Sequence, residues 1–336
     1  LQTHGCAGTV VFLGCPAEEG GSAKAFMARD GVFDDLDAAL TWHPDDTTGI
    51  RMNTSLANVQ VLYSFTGTPS HASKQPHLGR SALDGLELMN VGVNFLREHM
   101  IDDARIHYSI IDAGGFSPNV VQGHAAGLFL IRAPQNDQVQ ELCTRVTDIA
   151  KGAALMTGTK AENRIIKACS NTIFNHTLNS VLYAAMQKIP LPEIDEKDIA
   201  FARELVEKSF GDIPGADVQH PIHYELEPYR NEPKIAHGST DVGDVSWVCP
   251  TAQLKASTHA FKTPNHSWQQ VTQGKQPLAH KMTIYIAKCL AAAAIDLIEH
   301  PQLVEQAQQE HRAKVAGGYK CPIPKDVEPG VCRLEH

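Results

Sequence analysis

No two cysteines of this chain are spaced as C-x-x-C, which sets aside a structural zinc ribbon and a disulfide framework. The 8 cysteines (Cys6, Cys15, Cys143, Cys169, Cys249, Cys289, Cys321, Cys332) are scattered instead, a distribution that fits a reducing cytoplasm. A long apolar run is also missing. The longest, around Ala287–Ile298, carries Lys288 and Asp296 and falls short of the roughly 20 residues that a bilayer span needs, so no membrane helix is expected. Basic charge is scarce: 29 Lys and Arg stand against 38 Asp and Glu, a net of -9, which leaves no electrostatic footprint for nucleic acid or an anionic membrane. There is no P-loop, no G-x-G-x-x-G, no G-x-S-x-G nucleophile elbow, no internal repeat and no low-complexity tract. A small-molecule partner is what these absences leave.

With 336 residues and 43% hydrophobic content, the chain can bury at least one substantial core, and its length favours two domains. It opens at Leu1-Gln2-Thr3-His4-Gly5 without methionine, which reads as a helix end running into a strand. It closes on Leu334-Glu335-His336, which resembles the stub of an expression tag. A missing signal peptide is therefore uninformative.

Val10-Val11-Phe12-Leu13, entered through Gly8, reads as a short, fully buried strand. A helix over about 22–29, stopped by Gly31, and a strand over 38–42 complete a β-α-β unit. A right-handed crossover would set the two strands parallel, with their carboxyl ends on one sheet edge, and bring Glu18-Glu19 close to His43. From Asn58 the alternation of Val59, Val61, Tyr63 and Phe65 predicts a half-exposed strand to Gly67. A helix over 81–98, strands over 105–111 and 125–131, a helix over 138–156 and a strand over 161–168 follow. That β-α-β-β-α-β order is ferredoxin-like. We read it as a domain at 55–170 inserted into an α/β domain made of 1–54 and 171–336. Helices are expected over 174–188, 198–210, 278–298 and 301–314, and the Pro- and Gly-rich stretch 211–243 predicts no element.

The sharpest chemical feature is Pro16-Ala17-Glu18-Glu19-Gly20-Gly21 directly after the first expected strand. Pro16 ends a ladder, and the loop can turn both carboxylates towards one point, so that one binds a metal while the other takes a proton from water. The bland reading is a solvated acidic pair at a helix start, favoured by the helix dipole. His43, at the end of the neighbouring strand, lies on the expected ligand-binding edge. With 17 histidines present, each needs its own case.

These residues, taken with Ser70-His71-Ala72-Ser73, Pro76, Gly79-Arg80, Asn119-Val120-Val121, Ile131-Arg132, Gly238-Ser239-Thr240-Asp241 and Asn265-His266-Ser267-Trp268, resemble the aminoacylase and carboxypeptidase G family of dinuclear metallo-amidohydrolases. The likeness covers essentially the whole chain, and its specificity lies in the order and spacing. It implies a metallopeptidase-type α/β/α catalytic domain with an inserted ferredoxin-like dimerisation domain. The implied activity is hydrolysis of an amide bond next to a free carboxylate, with p-aminobenzoyl-glutamate as substrate and other N-acyl amino acids or dipeptides as the alternative.

The same resemblance implies the roles. Glu18 is the general base, and Glu19, His43 and His266 are ligands of two divalent metals, zinc or manganese. His259 is the rival of His266 but reads as part of a strand. His71 reaches across a dimer to the partner's site and stabilises an oxyanion. Asn119 and Arg132 grip the substrate, Arg132 through a bidentate hold on its carboxylate. Asp241 orients a metal ligand from behind. Cys15 stands where relatives often have glutamine, and its bland reading is a small buried thiol. The family's first ligand cluster lies before the Val10 strand, and this chain does not include it, so the chain alone is expected to be inactive. The expected assembly is a homodimer, or a heterodimer with a related chain. The rival reading is a non-catalytic chain whose His71, Asn119 and Arg132 complete another chain's site.

Overall fold

A computed structural model describes residues 7–230, 232–236 and 238–330. The opening at Leu1–Gly5, the closing Leu334–His336, Cys6 and Cys332 lie outside them. Among the described residues no helix is long and apolar enough to cross a membrane.

The chain is mixed α/β. Two short helices, α1 (Glu18–Gly21) and α2 (Ala23–Arg29), precede β1 (Ala39–Asp45), β2 (Gly49–Ile50) and β3 (Asn53–Thr54). The expected strand at Val10–Leu13 is absent. Those residues take no regular structure, and Val10, Val11 and Phe12 are 66%, 54% and 93% exposed. An apolar run becomes a strand only where a ladder accepts its backbone groups, and no described strand pairs with this one. Leu13 and Cys15 do pack, beside Ala28, Phe33, Val245 and Cys249. The β-α-β unit is therefore corrected.

The stretch from β4 (Ala57–Thr66) to β7 (Lys160–Cys169) forms a separate layer pair. It contains α3 (Ala82–Leu96), β5 (Arg105–Asp112), β6 (His124–Ala133) and α4 (Asn136–Thr157). The strand order is β5-β6-β4-β7 with every neighbour antiparallel, the ferredoxin-like arrangement expected from the pattern. Val59, Val61, Tyr63 and Phe65 of β4 are buried against Leu86, Met89 and Val93 of α3 and Val146 of α4. Burying an apolar side chain of this size stabilises by about 1.5–3 kcal/mol. Sequence also sets the helix ends: the Ser81 hydroxyl accepts from Asp84 N at 3.1 Å to cap α3, and Gly158, at φ 67, lets α4 stop in a left-handed turn.

After β7 come α5 (His176–Lys188), α6 (Glu196–Ser209), β8 (Lys234–Ile235), α7 (Val242–Val248), β9 (Thr251–Ser257), α8 (Trp268–Gln273), α9 (Pro277–Glu299) and α10 (Pro301–Lys314). β9, brought from far along the chain, is the parallel neighbour of β1, in register from Ala39↔Thr251 to Asp45↔Ser257, and β2 adds antiparallel on its other side. Side chains alternate across a sheet. Leu40, Trp42, Ile50, Ala252 and Leu254 therefore share one face, which packs on Leu178 and Leu182 of α5 and on Met282 and Ile286 of α9. Thr41, His43, Gln253 and Lys255 share the opposite, polar face.

Two linkers join these parts, one before β4 and one after β7. They run side by side, with the Ser55 hydroxyl 2.6 Å from that of Thr172, and the first linker also meets the segment before α7, where Leu56 N donates to Gly238 O at 2.9 Å and β3 pairs with β8. Gly243 sits so close that a Cβ there would lie 2.0 Å from Ser170 O.

Candidate active site

Ala17 at φ 56 and Ser22 at φ 52 bracket α1 in left-handed turns, which break the chain direction on both sides of the paired glutamates. Glu18 is half-buried and Glu19 exposed. The backbone oxygen of Glu19 accepts from Lys167 Nζ at 3.3 Å, so β7 helps to hold the turn. Behind it, the fully buried Asp241 accepts from Lys24 Nζ at 2.8 Å and from Lys24 N at 3.0 Å. Burial raises the Asp241 pKa and Lys24 counters it. Each Asp241 oxygen accepts one bond from Lys24, which fixes the carboxylate and leaves it further lone pairs.

Glu19 and His266 come together, with Oε2 4.0 Å from Nε2. His266 has φ 55 and donates its backbone N–H to Gln270 Oε1 at 2.8 Å, just before Ser267 caps α8. Two ligands on one zinc, each about 2.0–2.2 Å from it in tetrahedral geometry, sit roughly 3.4 Å apart, so a small closure would bring this pair into range.

His43 stands near the carboxyl end of β1, with Nδ1 2.5 Å from Pro44 O. A carbonyl oxygen only accepts, so Nδ1 carries the hydrogen and the lone pair lies on Nε2. Burial, and then the charge of Arg51, lower the His43 pKa, while Glu18 acts in the opposite direction. A neutral ring with a free Nε2 lone pair is the metal-binding form of histidine. His259, the rival of His266, lies beyond the end of β9 rather than in it. It is buried, its Nδ1 is 3.1 Å from Thr258 Oγ1, and burial lowers its pKa.

His71 and Asn119 sit on facing loops at one end of the four-stranded sheet. Ala72 N donates to Asn119 O at 2.9 Å, and Val121 N donates to Ser70 O at 2.9 Å. Both residues are exposed. His71 Nδ1 accepts from Lys74 N at 3.2 Å and Ser73 N at 3.4 Å, which in a neutral ring places the hydrogen on Nε2 and turns a donor outwards. Arg132 lies on β6 between Asn58 of β4 and Arg105 of β5, half-buried, with its pKa lowered by burial.

The structure thus pairs Glu19 with His266 and sets Glu18 within electrostatic reach of His43, Arg51 and Asp241. Among the described residues no group of three or more His, Cys, Asp or Glu is arranged to hold a metal ion. The donors present are nonetheless the oxygen and nitrogen types that zinc and manganese accept. Lys24 and Arg51 carry no signal in the sequence, since each takes its place through contacts distant in the chain and neither belongs to a motif.

A two-layer unit of ferredoxin-like order set into an α/β domain, with a paired-glutamate turn facing a histidine, defines a peptidase-type hydrolase. The sequence signature described as the peptidase dimerisation domain, of the M20 type, matches residues 55–156. A p-aminobenzoyl-glutamate hydrolase chain of Escherichia coli (strain K12) is 44% identical over 98% of this chain and 73% of that protein. The Xaa-Arg dipeptidase of Mus musculus is 28% identical over 91% of this chain and 63% of that protein. In fold, the crystal structure of an aminobenzoyl-glutamate utilization protein from Klebsiella pneumoniae superposes with a TM-score of 0.54 at 18% identity, over 84% of this chain and 60% of that one. The chain belongs to the M20 peptidase family, alongside the E. coli p-aminobenzoyl-glutamate hydrolase.

Proposed function

We propose that the full-length protein hydrolyses the amide bond of p-aminobenzoyl-glutamate, releasing p-aminobenzoate and glutamate. The observation that carries this is the 44% identity over 98% of the chain to the E. coli hydrolase, which is named for that substrate. The turn that sets Glu19 4.0 Å from His266 and Glu18 within electrostatic reach of His43 supports it.

In this reading the catalytic domain comprises 1–54 and 171–336 and the dimerisation domain 55–170. Glu18 takes the proton from the attacking water and returns it to the leaving amine. Glu19, His43 and His266 hold divalent metals, two per chain in the full site, zinc or manganese. When bound, these would supply the positive charge that acidifies water and polarises the amide carbonyl. His71 of a partner chain, homologous or identical, donates Nε2–H to the developing oxyanion. Asn119 and Arg132 fix the substrate carboxylate, and Asp241, held by Lys24, orients a metal ligand from behind. The protein works in the cytoplasm.

The test is release of p-aminobenzoate, followed by chromatography, from purified full-length protein loaded with zinc or manganese. Turnover that a chelator stops supports the proposal. Faster turnover of Xaa-Arg dipeptides would reassign the substrate, and metal loading without hydrolysis of any N-acyl amino acid would reduce the chain to a non-catalytic partner.

A further inference from the structure

A half-buried cation stands without an ion pair among the described residues where the two linkers pass. Arg51 follows β2, and its backbone N–H donates to Gln253 O at 2.9 Å, which continues the ladder and turns the side chain onto the polar face. Its Nη1 is buried with no hydrogen-bond partner among the described residues. Asp45 and Glu18 act on the guanidinium through space, and no ion pair to it forms among the described residues. Burial lowers its pKa from an ordinary value so high that it stays charged.

The group lines a cavity of ≈ 40 Å³ together with Ser55, Thr172, Asn175, Asn179 and Gln253. Of the two asparagines, Asn175 is fully engaged: its Oδ1 caps α5 at Leu178 N at 2.9 Å, and its Nδ2 donates to Ala307 O at 2.9 Å. Asn179, one turn further along α5, is 2% exposed, and its Oδ1 has no partner among the described residues. The cavity therefore offers one unsatisfied guanidinium nitrogen, Arg51 Nη1, and one unsatisfied amide acceptor, Asn179 Oδ1, both buried and without a partner among the described residues. Such groups raise the free energy of the chain until a ligand completes them.

We propose that this cavity binds an α-amino carboxylate, with its oxygens on Arg51 and its adjacent N–H on Asn179. A guanidinium matches the two oxygens of a carboxylate in a planar fork, and the space, about three water-sized groups, admits only the carboxylate and amino ends of such a molecule, so its side chain would lead out of the cavity. Glutamate is the occupant that follows from the proposed reaction, and the inference rests on that reading for the identity of the amino acid. The site is distinct from the Arg132 grip on the sheet. It lies where both linkers pass, so its occupant would touch the segments on which the four-stranded unit is mounted.

The experiment is calorimetric titration of L-glutamate into full-length protein, with Arg51→Met, Arg51→Lys, Asn179→Ala and Arg132→Met beside the wild type. Glutarate, which lacks the amino group, serves as the second probe. We expect two glutamates per chain, one of which Arg51→Met weakens more than tenfold and Arg51→Lys weakens less, while Arg132→Met removes only the other. Asn179→Ala should weaken glutamate and leave glutarate unchanged. Circular dichroism establishes that each variant is folded; should Arg51→Met unfold, Arg51→Lys and Asn179→Ala decide. Absence of glutamate binding to the wild type, unchanged binding in the folded Arg51 variants, or glutarate binding as tightly as glutamate would each overturn the assignment. Hydrolysis of p-aminobenzoyl-glutamate is followed separately, so failure of the proposed activity is distinguishable from failure of the pocket.

Discussion

The carboxylate of Glu19 faces the imidazole of His266 at 4.0 Å, while the adjacent Glu18 acts on His43. Neighbours in sequence are thus directed to different histidines, and their substitutions should separate. In full-length protein, Glu18→Gln should retain the metals and lose activity by about 10²–10⁴-fold, the usual contribution of a general base. Glu19→Ala should lose one metal equivalent. Metal content by mass spectrometry and the hydrolysis rate decide; a Glu18→Gln protein stripped of metal would reverse the two roles.

The outward Nε2–H of His71 lies on a loop of the four-stranded unit that faces Asn119, away from the paired glutamates in sequence. If it serves a partner's site, Glu18→Gln and His71→Ala homodimers should both be nearly inactive. After random exchange, half of the dimers would be mixed, each with one site carrying both lesions and one carrying neither. Activity should return to about a quarter of wild type. No recovery, despite exchange shown with differently tagged chains, would confine His71 to its own chain.

Lys24 and Asp241 form an ion pair whose side chains are 13% and 0% exposed. Removing only the cation leaves a buried carboxylate uncompensated, which typically costs about 3–5 kcal/mol. Lys24→Met should therefore unfold at clearly lower urea, and Lys24→Met combined with Asp241→Asn should recover part of the loss. Equal midpoints for the wild type and Lys24→Met would show that the pair contributes nothing.

Glu310 predicts an acid limb of stability. Burial alone would raise its pKa, but hydrogen bonds from Lys314, from the backbone N–H groups of His176 and Thr177 and from the Thr177 hydroxyl outweigh it and hold the value at about 2. The folded value lies below the ordinary 4.5, so this stability is present above that pH and disappears as pH falls towards about 2. Urea midpoints between pH 6 and pH 3 should fall less steeply for Glu310→Gln than for the wild type. Parallel curves would remove Glu310 as the cause.

The close approach of α7 to the second linker gives a steric prediction. Gly243→Ala would press a methyl group into the carbonyl of Ser170, 2.0 Å away. Overpacking of this kind costs about 1–3 kcal/mol, which thermal unfolding would register as a lower Tm.

The four-stranded unit is legible in the sequence because its signals are local. The alternation from Val59 to Phe65, the cap at Ser81 and the stop at Gly158 each act within a few residues. The Val10–Leu13 segment misleads because composition reports a preference for burial and not whether a ladder stands beside it. Asp241 stands in a recognisable motif, but its partner Lys24 does not, since nothing around a lysine in a short helix announces a carboxylate more than two hundred positions away. The same limit hides Arg51, whose importance depends on which neighbours fail to satisfy it. The histidine tautomers are equally illegible, because His43 donates through Nδ1 to a carbonyl and His71 accepts there from amides, and both facts belong to backbone geometry.

The hydroxyls of Ser55 and Thr172 touch at 2.6 Å, and the strands they precede and follow, β4 and β7, are themselves neighbours. The chain leaves for the four-stranded unit and returns from it through a single doorway. A segment mounted this way is a cassette: joining the doorway's two sides would delete it without re-routing any other strand, and a different module could occupy the same place. Exchange of such cassettes would let one hydrolytic framework change its partners while its own sheet stayed as it was.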